Sequence, residues 1–269
     1  MGRLDQVTNY YLTDDGYDNG LKAIIKDPSI KENKVVIIDA DSVIHAAIHP
    51  RKEEERDEYT EDEVETVIIP KIREKLMEIQ LAISEGFNIQ KVYCFVGGKG
   101  SYRKQLYPEY KANRKVKLEI LPKVYEICQK ELNFIPVEPG YEADDLLFIL
   151  NREYGDMSIL SYIDKDLDQI SNSTVYNYNK KCWYKINEEE ARYNLAVQVG
   201  IGDASDNVIA NKGLGKAKIK KYITLGMTDY QYIKGLIKAY RDYNKEVGDV
   251  KPLIRMTYKL VSLGKIYDK

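Results

Sequence analysis

Residues 34–39 read Lys-Val-Val-Ile-Ile-Asp, an unbroken apolar run closed by an acid. A strand buried on both faces shows such a run, whereas a half-exposed strand alternates apolar and polar residues. The stretch therefore predicts a central parallel strand with Asp39 at its carboxyl end, the rim where open α/β sheets bind ligands. Outward from it, Glu61 to Glu85 places Val64, Val67, Ile68, Ile72, Leu76, Ile79 and Ile83 at helical spacing, with Pro70 marking a kink or a first turn. Lys91 to Val96 reads as the next strand, followed by the turn Gly97-Gly98-Lys99-Gly100, a basic connector and a helix near Leu118 to Leu132. The segment PVEPGYEADDLLFILNREYG, residues 136–155, predicts a short strand, a turn and a helix whose first turn carries the acids, where the helix dipole favours negative charge. Ser158 to Ile163 is a further strand leading to Asp164, and residues 174–186 predict a hairpin. Strand, crossover helix and strand in repetition imply an α/β fold, a central mostly parallel sheet flanked by helices. Residues 1–33 are expected to be an irregular arm, 34–187 the α/β core, and 188–269 a helical module with the turn Gly213-Leu214-Gly215 between two helices.

With 269 residues and 43% of them apolar, the chain can bury one large core and a smaller appended module. Cys94, Cys128 and Cys182 lie far apart in apolar or aromatic surroundings, which argues against a disulfide framework or a CxxC metal site. The first twenty residues lack an apolar signal core, and no apolar run approaches the roughly 20 residues of a membrane helix. A soluble cytoplasmic protein is expected, and a monomer is the simplest assembly. Net charge is only −2, but it is unevenly spread. Between Lys91 and Lys117 eight Lys or Arg face the single acid Glu109, and Lys212 to Lys221 holds five lysines and no acid. Residues 51–63 carry eight acids against three bases, the pattern of a solvated edge or loop. Tyr outnumbers Phe 23 to 4, so some tyrosines are available to stack on bases.

Asp39, Glu142, Asp144, Asp145, Asp164, Asp166, Asp203 and Asp206 stand where strands end or helices begin, with no His or Cys among them. An oxygen-only donor set suits Mg²⁺ or Mn²⁺, which meet a phosphate substrate, whereas zinc prefers nitrogen or sulfur. Without a counter-ion, carboxylates so close would raise one another's pKa values. Glu142 and Asp145 are three apart and share a helix face. Asp164 and Asp166 would point to one side of an extended chain, and Asp203 and Asp206 form a further i, i+3 pair if their segment is helical. Asp41 and Asp168 read as bystanders, one of them a helix N-cap. Lys111 and Arg114 are spaced to reach one phosphate together from a helix. The glycines of GLGKAK, residues 213–218, allow backbone amides to approach a phosphate, and the lysines around them favour non-specific duplex binding.

Together the motifs resemble the 5′-nuclease or flap endonuclease superfamily, including bacteriophage enzymes and the 5′-nuclease domain of bacterial DNA polymerase I. VVIIDADS, SYRKQLYPEYKANR, GYEADDLL, IDKDLDQI and GIGDASDN followed by GLGKAK carry the likeness in order from Lys34 to Tyr222. The resemblance implies a PIN-like nuclease fold with a helix-hairpin-helix at about 203–222. It implies one metal site from Asp39, Glu142, Asp144 and Asp145, and a second formed or completed by Asp164, Asp166, Asp203 and Asp206. Lys111, Arg114 and Asp145 would be catalytic. Lys99, Arg103, Tyr110, Gly213, Gly215, Lys216 and Lys218 would join Lys111 and Arg114 in holding nucleic acid, with Tyr110 stacking on a terminal base. It further implies two Mg²⁺ or Mn²⁺ ions, K⁺ at the helix-hairpin-helix, and DNA with a 5′ flap, nick or duplex end, or an RNA–DNA hybrid, as substrate. A phage-encoded member would work in a bacterial cytoplasm. The chain departs from the pattern at Gly97-Gly98, where relatives place an aspartate, for which Asp41 is a substitute; VIANK also stands in place of a Pro-Gly lead-in. Two other readings remain open at this point: a DNA-junction binder with impaired metal sites, and a haloacid-dehalogenase-type phosphatase using Asp39 as nucleophile and Asp41 as acid.

Overall fold

The computed structural model describes residue 24 and residues 29–49, 59–97, 100–114 and 119–264. Lys99 and most of the expected 1–33 arm lie outside these described residues. The chain divides into two compact units, one of Met1–Lys99, Val116–Asp164 and Ser173–Lys185, the other of Gly100–Lys115, Lys165–Asn172 and Ile186–Lys269. Residues 100–115 and 165–172, assigned from the sequence to the α/β core, thus belong to the second unit.

The first unit is built on β1 (Asn33–Asp39), β2 (Asn88–Val96), β3 (Ile135–Pro136), β4 (Ser158–Ser161), β5 (Ser173–Asn177) and β6 (Cys182–Ile186), in the spatial order β3-β2-β1-β4-β5-β6. β1 runs parallel to both neighbours, with Ile37 beside Tyr93 on one side and Leu160 on the other. The pairs β2–β3 and β4–β5 are parallel as well, and β5 with β6 is the hairpin expected over 174–186. Alternation along β1 sends Val36 and Ile38 into a cluster with Val43, Ile44, Ile72, Ile79 and Val124. Those residues come from α1 (Ala40–Ile48), α2 (Ile69–Ser84) and α3 (Leu121–Glu131). A π-helical turn, Val64–Ile68, leads into α2, and Pro70 sits in the first turn of α2, where its missing N–H is harmless. On the sheet, α4 (Ala143–Tyr154) packs against β1, β2 and β4. The connection through α4 carries the chain past β2 and β1 to the far side of β1, so the strand order reverses there. In doubly wound sheets that reversal opens a crevice beyond the carboxyl ends of the two strands, here β1 and β4.

In the second unit the main helices are α5 (Glu188–Ile201), α6 (Asp229–Tyr243) and α7 (Lys251–Val261). Asn187 and Glu190 start α5 with a capping box, each side chain accepting from the other's backbone N–H. A one-turn helix, Tyr102–Leu106, is tied to α7 by Arg103, whose guanidinium donates to the carbonyls of Leu260 and Ser262 at 2.8 Å. Gln169 closes the same region, donating to Gln198 and to the Val261 carbonyl while accepting from the Leu263 amide.

Two local expectations change here. Asp203 and Asp206 are not on a helix: β7 (Gly202–Asp203) and β8 (Val208–Ile209) form a small antiparallel hairpin whose turn holds residue 206. The turn at 213–215 therefore lies between that hairpin and a one-turn helix, Lys216–Ile219, rather than between two full helices. The hairpin depends on Gly202, with φ +74°, because a Cβ there would stand 2.1 Å from the Val208 carbonyl oxygen. Gly202→Ala is expected to lower unfolding free energy by at least about 2 kcal/mol. Gly248→Ala, at a position with nothing within 4 Å, should stay within about 0.5 kcal/mol of wild type. Urea titration followed by circular dichroism checks both.

Candidate functional site

In the first unit, Asp39 caps α1 from the end of β1, and its carboxylate accepts from the Ser42 amide at 3.4 Å. It is only 5% exposed. Burial first, then the neighbouring charge of Asp41 and, more weakly, of Asp164, push the Asp39 carboxyl up to about 7. Asp41 and Asp164 thus both act electrostatically on Asp39 at the end of β1. Ser42 hydroxyl in turn meets Tyr178 hydroxyl at 2.7 Å, fixing the start of α1.

Asp41, read both as a bystander and as a substitute for the aspartate missing at Gly97-Gly98, lies beside that position. Its Oδ2 accepts from the Gly97 amide at 2.8 Å, and its Oδ1 accepts from the Tyr125 hydroxyl at 3.0 Å. A Cβ on residue 97 would lie 2.8 Å from that same Oδ2. The carboxylate of Asp41 therefore fills the space that a side chain on the Gly97 turn would need. Only the parallel pairing of β1 with β2 brings positions 41 and 97 together, so spacing along the chain held no signal for it.

On α4, Glu142 and Asp145 form a reciprocal capping box: Glu142 accepts from the Asp145 amide, and Asp145 Oδ2 accepts from the Glu142 amide at 3.1 Å. Asp145 is fully buried and Asp144 is half-buried. Asp164 is exposed three residues past β4. The chain passes from the first unit to the second between Asp164 and Lys165. Asp166 does not continue an extended strand but lies in the 3₁₀ turn Lys165–Gln169, so the two-apart argument for a shared side fails. Among the described residues no three His, Cys, Asp or Glu side chains stand together as a ready cation cage. Mutual repulsion opposes closer approach of like charges.

In the second unit, Asp206 is surrounded by the basic motif. The Tyr110 hydroxyl donates to its Oδ2 at 2.7 Å, Arg114 binds its Oδ1, and Lys111 Nζ lies 3.6 Å from Oδ2. Lys111 adopts φ +58° in a turn, so Lys111 and Arg114 meet through this turn and not through a helix face. Asp203 is occupied locally, its Oδ1 accepting from the amide and hydroxyl of Ser205. Two nucleic-acid candidates are corrected. Tyr110 is 3% exposed, its ring packed with Val199, Val208 and Leu236, and so offers no face for a base. Arg103 is 2% exposed and holds backbone carbonyls of α7. At the glycine-rich turn, Gly213, Gly215, Lys216 and Lys218 are exposed while Leu214 anchors the turn in a buried cluster. The Gly213 carbonyl accepts from Lys218 Nζ at 3.0 Å.

Known proteins resemble this chain both in sequence and in fold. The family model for the 5′-3′ exonuclease, N-terminal resolvase-like domain, matches residues 34–196, and the chain belongs to that family. Flap endonuclease Xni of Shewanella sp. (strain MR-4) is 25% identical over 182 residues, covering 62% of this chain and 70% of its own. The 5′-3′ exonuclease of Bacillus subtilis is 26% identical over 166 residues, 55% of this chain and 54% of its own. DNA polymerase I of Borreliella burgdorferi is 29% identical over 187 residues, 61% of this chain but 20% of its own. Of solved structures, the T5 D15 protein co-crystallised with metal ions superposes with a TM-score of 0.51 at 15% identity, covering 86% of this chain and 98% of its own. That likeness concerns the fold. Family membership sets aside the phosphatase alternative. Among the described residues no helix is long and apolar enough to cross a membrane.

The raised Asp39 carboxyl makes a pH prediction. Between the ordinary value of 3.8 and about 7 the folded state keeps a proton that the unfolded chain has released, so folding stability falls as pH rises through this window. Above it the full penalty applies. Asp39→Asn removes the penalty while keeping an oxygen acceptor for Ser42. In EDTA the variant should melt several degrees above wild type at pH 8, with the gain shrinking toward pH 4. Thermal melts across this range check the sign.

Proposed function

We propose that this chain is a divalent-metal-dependent 5′ nuclease, hydrolysing phosphodiesters near the 5′ ends of branched, nicked or duplex DNA or of RNA–DNA hybrids. The observation that carries the reading is Asp39, buried at the sheet's switch point with its acidity strongly weakened by burial and by the charges of Asp41 and Asp164. Burying a carboxylate beside two others is unfavourable for folding, and perturbed acids of this kind mark functional sites. The oxygen-only donors fit a hard cation such as Mg²⁺ or Mn²⁺. The first unit offers Asp39, Glu142, Asp144, Asp145 and Asp164, with Asp41 supplying a carboxylate at the Gly97 turn. The second unit offers Asp166, Asp203 and Asp206. When bound, a pair of such ions supplies an activated water and neutralises charge at the leaving oxygen.

The chain's own residues do the rest. Lys111 and Arg114 place positive charge where the phosphate gains negative charge, an electrostatic contribution worth a few kcal/mol in comparable sites. Their pairing with Asp206 supports this reading, because a carboxylate and a phosphate oxygen make the same demand on a guanidinium or ammonium group. Buried Asp145 holds the first turn of α4 in place and orients Glu142 beside it. The exposed lysines at 212, 216, 218, 220 and 221, around a turn anchored by Leu214, suit the duplex backbone in the manner of a helix-hairpin-helix. The relatives are a flap endonuclease, a 5′-3′ exonuclease and a DNA polymerase, which supports a replication or repair substrate.

Labelled 5′-flap, nicked and RNA-primed duplexes incubated with Mg²⁺, Mn²⁺ or EDTA test the proposal. Short 5′ products are expected with either cation and none in EDTA. Asp145→Asn, which keeps the acceptor for the Glu142 amide, should lower kcat by at least about a thousandfold while duplex affinity in Ca²⁺ stays near wild type. Binding of every substrate with no turnover in any cation would replace the nuclease reading with that of a junction-binding protein.

A further inference from the structure

The second unit contains a feature that the nuclease reading leaves unexplained: an acid lodged among the groups meant for phosphate. Asp206 has a side chain only 14% exposed. It receives the Tyr110 hydroxyl on Oδ2, Arg114 on Oδ1, and Lys111 Nζ at 3.6 Å from Oδ2. A hydroxyl, a guanidinium and an ammonium gathered around one pair of oxygens form an anion seat, the recognition set for a phosphate group.

The seat does not depend on that carboxylate for its shape. The 109–114 turn is stapled to the β7–β8 turn by three bonds that use other atoms. Lys111 amide donates to the Asp206 carbonyl at 2.8 Å, Asn113 Nδ2 to the Ala204 carbonyl at 2.8 Å, and Asn207 Nδ2 to the Glu109 carbonyl at 2.8 Å. Tyr110 is further fixed by its packed ring. Loss of charge at position 206 would therefore leave Tyr110, Lys111 and Arg114 assembled.

We propose that Asp206 is an internal competitor for this seat: its carboxylate occupies the position of a substrate phosphate, and a phosphate must displace it before Lys111 and Arg114 can engage. The proposal rests on the nucleic-acid reading of this unit and adds a latch to it.

The test compares wild type with Asp206→Asn, Asp206→Ser and Asp203→Asn, all in EDTA. Asp203→Asn removes the same charge from the same hairpin, but its carboxylate serves Ser205 and the Asp206 amide, not the basic residues. Two probes are titrated: inorganic pyrophosphate by calorimetry, and a 5′-phosphorylated hairpin duplex by fluorescence anisotropy. Ion pairs that remain partly open to solvent are individually weak, so both Asp206 variants should bind either probe on the order of three- to tenfold more tightly than wild type. Asp203→Asn should stay within about twofold of wild type. For the duplex, the salt dependence should steepen by roughly one to two in log–log slope as the freed cations reach phosphates. Pyrophosphate binding that is equal or weaker in the Asp206 variants, or a gain matched by Asp203→Asn, overturns the latch. A duplex that no form binds, with pyrophosphate still discriminating, sustains the latch and removes the nucleic-acid reading instead.

Discussion

The Asp39 carboxylate, enclosed at the end of the central strand with Asp41 and Asp164 acting on it, is the constraint around which the first unit is arranged. The core could have closed over an apolar residue there at no electrostatic expense. Instead β1 delivers an acid to the point where strand order reverses, and Ser42, Tyr178, Tyr125 and the Gly97 amide are placed to hold the surrounding groups. Burial of the Tyr125 hydroxyl and the Asp41 charge beside it both push its pKa up, so it remains a donor. A buried acid beside other acids at the end of a central strand opposes stability.

Acids and bases are handled differently in the two units. In the first, α4 turns Glu142 and Asp145 inward on themselves, and the helix N-terminus makes their charge easier to accommodate. In the second, acid and base neutralise each other directly through Asp206, Lys111 and Arg114. The near-zero net charge of the chain therefore conceals opposite local fields, a pattern suited to a protein that holds cations and a polyanion at once.

Local physics explains why much of this was legible in the sequence. KVVII declared a doubly buried strand because four successive apolar residues suit a strand covered on both faces. The α2 pattern was legible through its apolar spacing, and Pro70 through its chemistry, which restricts it to a first turn or a kink. Acid clusters at element ends were visible as candidates for the same reason that caps are: backbone groups at helix starts accept negative charge. What could not be read was which oxygens meet. Tyr110 and Arg103 stand in the basic motif with the right chemistry for nucleic acid, yet packing against α5, α6 and α7 encloses them.

The sequence by itself determined the order of elements, the parallel core and the chemistry on offer, because propensity, period and charge are properties of short stretches. Tertiary structure alone decided that Asp41 fills the space above Gly97, that Asp206 is held by Lys111 and Arg114, and that the 203–206 segment turns as a hairpin. Those outcomes rest on strand pairing and on contacts between residues 56 to 96 positions apart, whose energies depend on distance in space and leave no periodic trace along the chain.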